Sequence, residues 1–316
     1  MESSIPSDKI KAYFSRYLLH EEYGFYHHLF EDEQLPSEFK KIEELALQTP
    51  ELNNSKRIRE AVKELKVPPF DQALEGMTYN QCIKLYTLVS FLTNSYLFNE
   101  EPSVDVLPEP LSTILYSVAK KIGNRPIMTY ACCAFWNTQV IDKTAPVSLD
   151  NLKLRVTFTG NPGEEWFYLV SIANDIIGLK VIKNLILAQE ELDNGNPEKA
   201  AEIILKSIPE FGNSILYENF SNFYFIDVMI KSLKRMHERL DPEWFYSELR
   251  RYLIGYQKFP NGLRFSGVPE YDKEGPKFSG MSAGQSPFYQ TFQNALGNFS
   301  SPVTSFLTNC FRLEIW

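Results

Sequence analysis

Residues 278–286 read Phe278, Ser279, Gly280, Met281, Ser282, Ala283, Gly284, Gln285 and Ser286. Such a run of small residues lets backbone approach a ligand closely, and its amides could donate to an anion. The same run contains G-x-S-x-G, the nucleophile-elbow pattern of α/β-hydrolases. That chemistry requires a strand before the serine and a histidine after it. Residues 270–276 do not read as a strand, and the last histidine, His237, precedes Ser282. The hydrolase reading therefore fails. A glycine-rich connector stands open beside the ligand-loop reading.

A second chemical group lies at 242–255, where Phe245, Tyr246, Arg250 and Arg251 follow Pro242. On a helix Arg250 sits beside Tyr246, Leu253 and Ile254, toward an apolar face. Arg251 sits beside Ser247 and Glu248, where a solvated pair forms easily. An arginine aimed into an apolar pocket needs an anion, and a bound carboxylate suits its planar fork. The alternative is an arginine that lays its stem on apolar surface and keeps its head in water.

Two shorter groups complete the set. Phe167 and Ser171 are four residues apart and share one helical face. A hydroxyl beside a ring suits a mostly apolar ligand with one polar handle. Ordinary core, with the serine bonding its own backbone, is the other reading. Tyr130 and Cys133 are three apart and face the same way; either can also be core.

Helices must position these residues. The periodicity predicts a mostly buried helix over 79–98 and further helices over 107–122, from Pro126 toward Gln139, and over 165–191. Asn196-Pro197-Glu198, Asp241-Pro242-Glu243 and Ser286-Pro287 are helix starts. Only 152–158 alternates with period two, so one short strand is expected there, followed by a turn at 160–163. The expected class is all-α. The break near 145–163 divides a small helical domain, 1–145, from a larger one, 146–316.

Composition narrows the function. A net charge of -8 argues against a nucleic-acid partner. No apolar run is long enough for a membrane span, and the first 20 residues do not read as a signal peptide. Cys82, Cys132, Cys133 and Cys310 form no CxxC pair and read as reduced thiols, so a cytoplasmic protein is expected. Aromatic residues make up 14% of the chain, enough rings to line a dry pocket.

The four groups occur in the order and approximate spacing of the indoleamine 2,3-dioxygenase family, which this chain resembles. The resemblance rests on the serine-alanine-glycine-glutamine-serine run at 282–286 and on the stretch from Leu249 to Gly255. It rests also on Thr157-Phe158-Thr159-Gly160 with Glu165-Trp166-Phe167-Tyr168-Leu169-Val170-Ser171, and on His20-Glu21-Glu22-Tyr23-Gly24-Phe25. It covers roughly 17–297.

The resemblance implies an all-helical oxidoreductase with heme b as cofactor and dioxygen as co-substrate. Its reaction cleaves the 2,3 bond of the L-tryptophan indole to give N-formylkynurenine, a step of tryptophan catabolism in the kynurenine pathway. A monomer is expected. Tyr130, Cys133, Phe167 and Ser171 match positions lining the distal pocket. Phe245 matches a ring on the substrate indole, and Arg250 the arginine for its carboxylate. Ser282, Ala283 and Gly284 match the loop beside the heme edge and the substrate amino group. The substrate set is thus Tyr130, Cys133, Phe167, Ser171, Phe245, Arg250, Ser282 and Ala283, and the heme set Ser171, Ser282, Ala283 and Gly284.

There are departures. The family's iron-ligating histidine lies well downstream of 282–286, and no histidine follows Ser286 here. His20, His27, His28 and His237 read as core or surface residues; His237 matches a position just before the Arg-bearing helix. No metal ligand is therefore expected within this chain. Met281 stands where many relatives carry glycine, which narrows the pocket. Residues 300–316 do not resemble the family, so the C-terminal helices are expected to be missing. A non-catalytic or heme-free family member, or one acting on another indole, stands as the alternative.

Overall fold

The computed structural model describes residues 25–26, 32–207 and 232–295. The expectations for His20, His27, His28 and the tail at 300–316 lie outside the described residues. Among the described residues four short helices come first: α1 (Lys40–Leu47), α2 (Thr49–Asn54), α3 (Ile58–Glu64) and α4 (Asp71–Gly76). The longer ones are α5 (Tyr79–Phe98), α6 (Glu109–Lys121), α7 (Pro162–Asp193), α8 (Pro197–Ser207) and α9 (Pro287–Ala295). The class is all-α, as expected.

The α5 helix is the central post. Every residue from Cys82 to Phe98 is buried. A capping box starts it: Thr78 Oγ1 accepts the Gln81 amide at 3.1 Å, and Gln81 Oε1 accepts the Thr78 amide at 3.0 Å. One connected core runs from Tyr26 to Val268. At its middle Phe158 lies between Phe91, centroids 4.4 Å apart, and Tyr252, 4.3 Å apart. Offset ring stacks of this kind add to plain area burial.

Two sequence expectations need correction. The single strand expected near 152–158 is one of four short strands. β2 (Thr138–Val140) pairs antiparallel with β3 (Leu152–Leu154), and β1 (Val106–Leu107) pairs parallel with β4 (Arg264–Phe265). The alternation does continue to Phe158, but past Leu154 side chains replace a partner strand. Asn137 Oδ1 takes the Val156 amide at 3.1 Å, and Glu164 takes those of Phe158 and Thr159 at 2.6 and 2.8 Å.

The helix expected from Pro126 is instead an irregular turn leading into one π-turn, Ala131–Phe135. The Tyr86 hydroxyl reaches the carbonyls of Arg125 and Ile127, which a helix would have used in its own ladder. The widened turn then closes with the Trp136 amide on Ala131 O at 2.7 Å.

The α7 helix begins at Pro162, within the turn expected at 160–163 and before the expected helix start at 165. Asn161 Oδ1 accepts the Gly163 amide at 2.7 Å, with Pro162 in the first turn. Asn161→Ala is expected to lower stability by about 1 kcal/mol, read as a lower urea midpoint at unchanged slope.

Candidate functional site

The ligand-facing residues expected on α7 form a stripe. Phe167, Ser171 and Asp175 follow one another at four-residue spacing and share one face. The mouth of the helix is held firmly. The Trp166 indole N–H donates to Arg235 O at 2.6 Å, and the Arg239 guanidinium lies 4.2 Å from the Trp166 ring. Ser171 Oγ donates to Phe167 O at 3.0 Å, the backbone bond that competes with a ligand role.

The Arg-bearing segment is not one helix. It passes through an α-turn (Pro242–Trp244), a π-turn (Phe245–Leu249) and a 3₁₀ turn (Arg250–Leu253). Tertiary bonds impose this. Asn94 Nδ2 donates to Tyr252 O at 2.6 Å, and the Tyr252 hydroxyl donates to Asn99 Oδ1 at 2.6 Å. With Leu249 and Tyr252 buried, Phe245 is left half-buried and Tyr246 and Arg250 outside.

Phe245 packs on Phe167 with centroids 4.9 Å apart at 48°, joining this segment to the α7 stripe. The Arg250 guanidinium lies 5.0 Å from the Tyr246 ring centroid. That neighbour is the expected one, but Arg250 is exposed rather than sunk in an apolar wall. Among the described residues no carboxylate pairs with it. Arg251 does pair: its Nη2 lies 2.5 Å from Glu248 Oε2. The Arg251–Glu248 pair is the expected one; the apolar surroundings expected for Arg250 are not found.

The glycine-rich stretch lies against this segment. A Cβ on Gly255 would overlap Gly280 N, and one on Gly280 would overlap Leu253 O. Only glycine permits that backbone contact. The expectation of free loop amides is not met at the end of the run. Gly284 N donates to Ser282 Oγ at 3.3 Å, Gln285 N to Ser282 O at 2.9 Å and Ser286 N to Ala283 O at 3.0 Å. The loop satisfies itself as a capping box. Ser282 and Ala283 are exposed and Gly284 is half-buried, so the turn offers side chains and edges rather than an amide cradle.

Tyr130 and Cys133 are buried, Cys133 completely. Cys133 Sγ sits 3.6 Å from Tyr130 O. Burial raises its thiol pKa and pushes that of Cys132 up to about 11, so both stay protonated.

Two residues escaped the sequence reading. Gln285 is buried, and its Oε1 accepts the Tyr130 amide at 2.9 Å, joining the 282–286 loop to the Tyr130 turn. The Ser-x-x-Gln spacing of a capping box was its visible signal. Asp175 is also buried, and its Oδ2 accepts from the hydroxyls of Tyr26, Tyr130 and Ser286 at 2.8, 3.0 and 2.9 Å. Burial lifts its pKa to about 6 although the three donors pull it down. Its signal was the step of four beyond Ser171.

A porphyrin needs apolar surface, which Phe167 and Phe245 offer with rings tilted 48° to each other, and an axial donor. An axial donor for its iron does not appear among the described residues. His237, their one histidine, is exposed on the 3₁₀ turn Arg235–Glu238, and the buried thiols are protonated. Among the described residues no cluster of three or more His, Cys, Asp or Glu side chains could hold a metal. No described helix is long and apolar enough to cross a membrane.

Several known proteins are similar to this chain in sequence. Indoleamine 2,3-dioxygenase 1 of Rattus norvegicus is 28% identical over 299 residues, covering 92% of this chain and 68% of its own length. Indoleamine 2,3-dioxygenase of Saccharomyces cerevisiae is 26% identical over 288 residues, covering 86% of this chain and 60% of its own. A protein named myoglobin from Haliotis madaka is 30% identical over 295 residues, 91% of this chain and 70% of its own. The chain thus spans 60 to 70% of the length of these relatives. A family model described as Indoleamine 2,3-dioxygenase matches residues 13–305, and the chain belongs to that family.

Proposed function

We propose that this chain binds an indole amino acid, L-tryptophan first among them, as a heme-dependent 2,3-dioxygenase yielding N-formylkynurenine. One observation carries the reading: Phe245, which packs on Phe167 of α7, shares its segment with Arg250, a guanidinium with no carboxylate partner among the described residues. A ring slot beside an unneutralised cation suits an aromatic amino acid with a free carboxylate. Family membership supplies the reaction class.

The side chains have separate tasks. Phe167 and Phe245 hold the indole by ring contact, and Arg250 takes the carboxylate through its fork. Ser282 and Ala283 bound the site near the amino group. Ser171, with Gly284 and the same loop, borders the flat cofactor. Tyr130 and Cys133 back the roof from the core. Heme b, when bound, supplies the oxygen chemistry, with dioxygen as co-substrate; the protein supplies binding, orientation and exclusion of water.

Titrating the chain with hemin and then with L-tryptophan tests this. A Soret band that shifts on tryptophan addition, with N-formylkynurenine formed under reducing conditions, is the expected result. A hemin spectrum unchanged by protein and by tryptophan would overturn it. A second reading is a family member without indole turnover, favoured by the 30% identity to a protein that bears the name myoglobin rather than an enzyme name. A tryptophan-responsive Soret band without product would support that one.

A further inference from the structure

We infer that Asp175 is a positioning residue for the ligand-facing side of the chain. It fastens the Tyr130 turn, the 282–286 loop and the Tyr26 segment to one point on α7. The inference rests on the proposed reading only in taking this side as the one that holds the indole.

Three hydroxyls converge on a single carboxylate oxygen. Tyr26 lies 149 residues from Asp175 in sequence, Tyr130 45 and Ser286 111, so three distant segments meet there. The side chain is 4% exposed. A buried carboxylate is costly to keep, and among the described residues no lysine or arginine offsets it. Packing alone would be served better by an apolar residue. What the carboxylate provides is convergence, because an ionised oxygen accepts several short hydrogen bonds at once.

The placement gives that convergence a use. Asp175 is the inner end of the stripe begun by Phe167 and Ser171. Ser286 closes the loop that contains Ser282 and Ala283, and its hydroxyl also caps α9 by accepting the Tyr289 amide at 3.3 Å. Tyr130 and the loop are joined a second time through Gln285, so the loop keeps one anchor when the carboxylate is lost. Replacing this carboxylate by an amide, a weaker acceptor that also brings two N–H donors among three hydroxyl donors, therefore loosens the register of roof and loop without dismantling the core.

Asp175→Asn keeps the volume and removes the charge. In the heme-free chain, hydrogen–deuterium exchange at 130–135 and 282–286 is expected to rise about ten-fold, the worth of one charge-assisted hydrogen bond, while α5 keeps its protection. In the hemin-loaded chain the KM for tryptophan is expected to rise by a similar factor, with kcat within about two-fold. Ser286→Ala removes one donor and should loosen the loop while leaving 130–135 protected. Unchanged exchange in Asp175→Asn would overturn the inference, as would an equal loss of protection across α5, which marks a general stability role. A wild-type chain that binds neither hemin nor tryptophan would defeat the proposed function instead; the exchange result still decides Asp175.

Discussion

Arg250→Ala is expected to weaken tryptophan binding roughly 10- to 100-fold while leaving the unfolding transition almost where it is. A hydrogen bond to a charged partner contributes about 1.5–3 kcal/mol, which corresponds to that factor. The fold does not depend on this guanidinium. It is exposed, and it lies over the Tyr246 ring at 5.0 Å, a contact worth about 0.5–1 kcal/mol at such a site. Arg251→Ala is the control. Its guanidinium is engaged by Glu248 Oε2 at 2.5 Å and by the Ser247 carbonyl at 3.1 Å, so its loss should change binding less than about two-fold. Arg250→Lys should recover only part of the affinity, because an ammonium cannot match a carboxylate with two parallel bonds. Spectral titration of the hemin-loaded variants measures all three. Equal constants for wild type and Arg250→Ala would remove Arg250 from the carboxylate role.

The second large effect is a gain of stability on mild acidification. Burial raises Glu164 from 4.5 to about 7 and Asp175 from 3.8 to about 6. Each folded-state value lies above its unfolded one. Between pH 7 and about 5 the folded chain therefore binds protons that the unfolded chain does not, and stability falls as pH rises through that window. A tenfold change in proton affinity corresponds to about 1.4 kcal/mol, so the two groups together amount to a few kcal/mol. The carboxylates held low, Asp32, Asp142 and Glu270, act in the opposite direction. They are half-exposed or exposed, and their loss begins only below about pH 5. Urea midpoints at pH 7, 6 and 5 should rise in that order. A steady fall over the same steps would contradict the account, and Glu164→Gln should flatten the part between pH 7 and 6.

Much of the framework was legible because its causes are local. The helix at 79–98 carries apolar residues at helical spacing and opens with Thr78 and Gln81 at capping-box spacing, so its existence follows from neighbouring residues alone. The start at Asp241-Pro242 is equally local, whereas Asn161-Pro162, which starts α7, read as part of a turn. The Tyr246 neighbour of Arg250 and the Glu248 partner of Arg251 were readable from four-residue and three-residue spacing.

What escaped has non-local causes. The helix expected after Pro126 gives way because the Tyr86 hydroxyl, about forty residues earlier, takes its carbonyls. Of the amides expected free over 278–286, those of Gly284, Gln285 and Ser286 are spent within the loop, which the buried Gln285 side chain ties to Tyr130. The Arg250 segment winds through three kinds of turn because Asn94, Asn99 and Phe158 hold Tyr252.

By itself the sequence determined the helical class, the main caps, the order of the chemical segments and, through their resemblance, the family. Each follows from residue type and short spacing, which act within a few turns of chain. Only the tertiary structure decided that Phe245 meets Phe167, that Arg250 faces water with no carboxylate beside it among the described residues, and that three distant hydroxyls share Asp175. The physical reason is that a buried polar group must find its partner wherever the packed chain brings one, and distance along the sequence does not limit that choice.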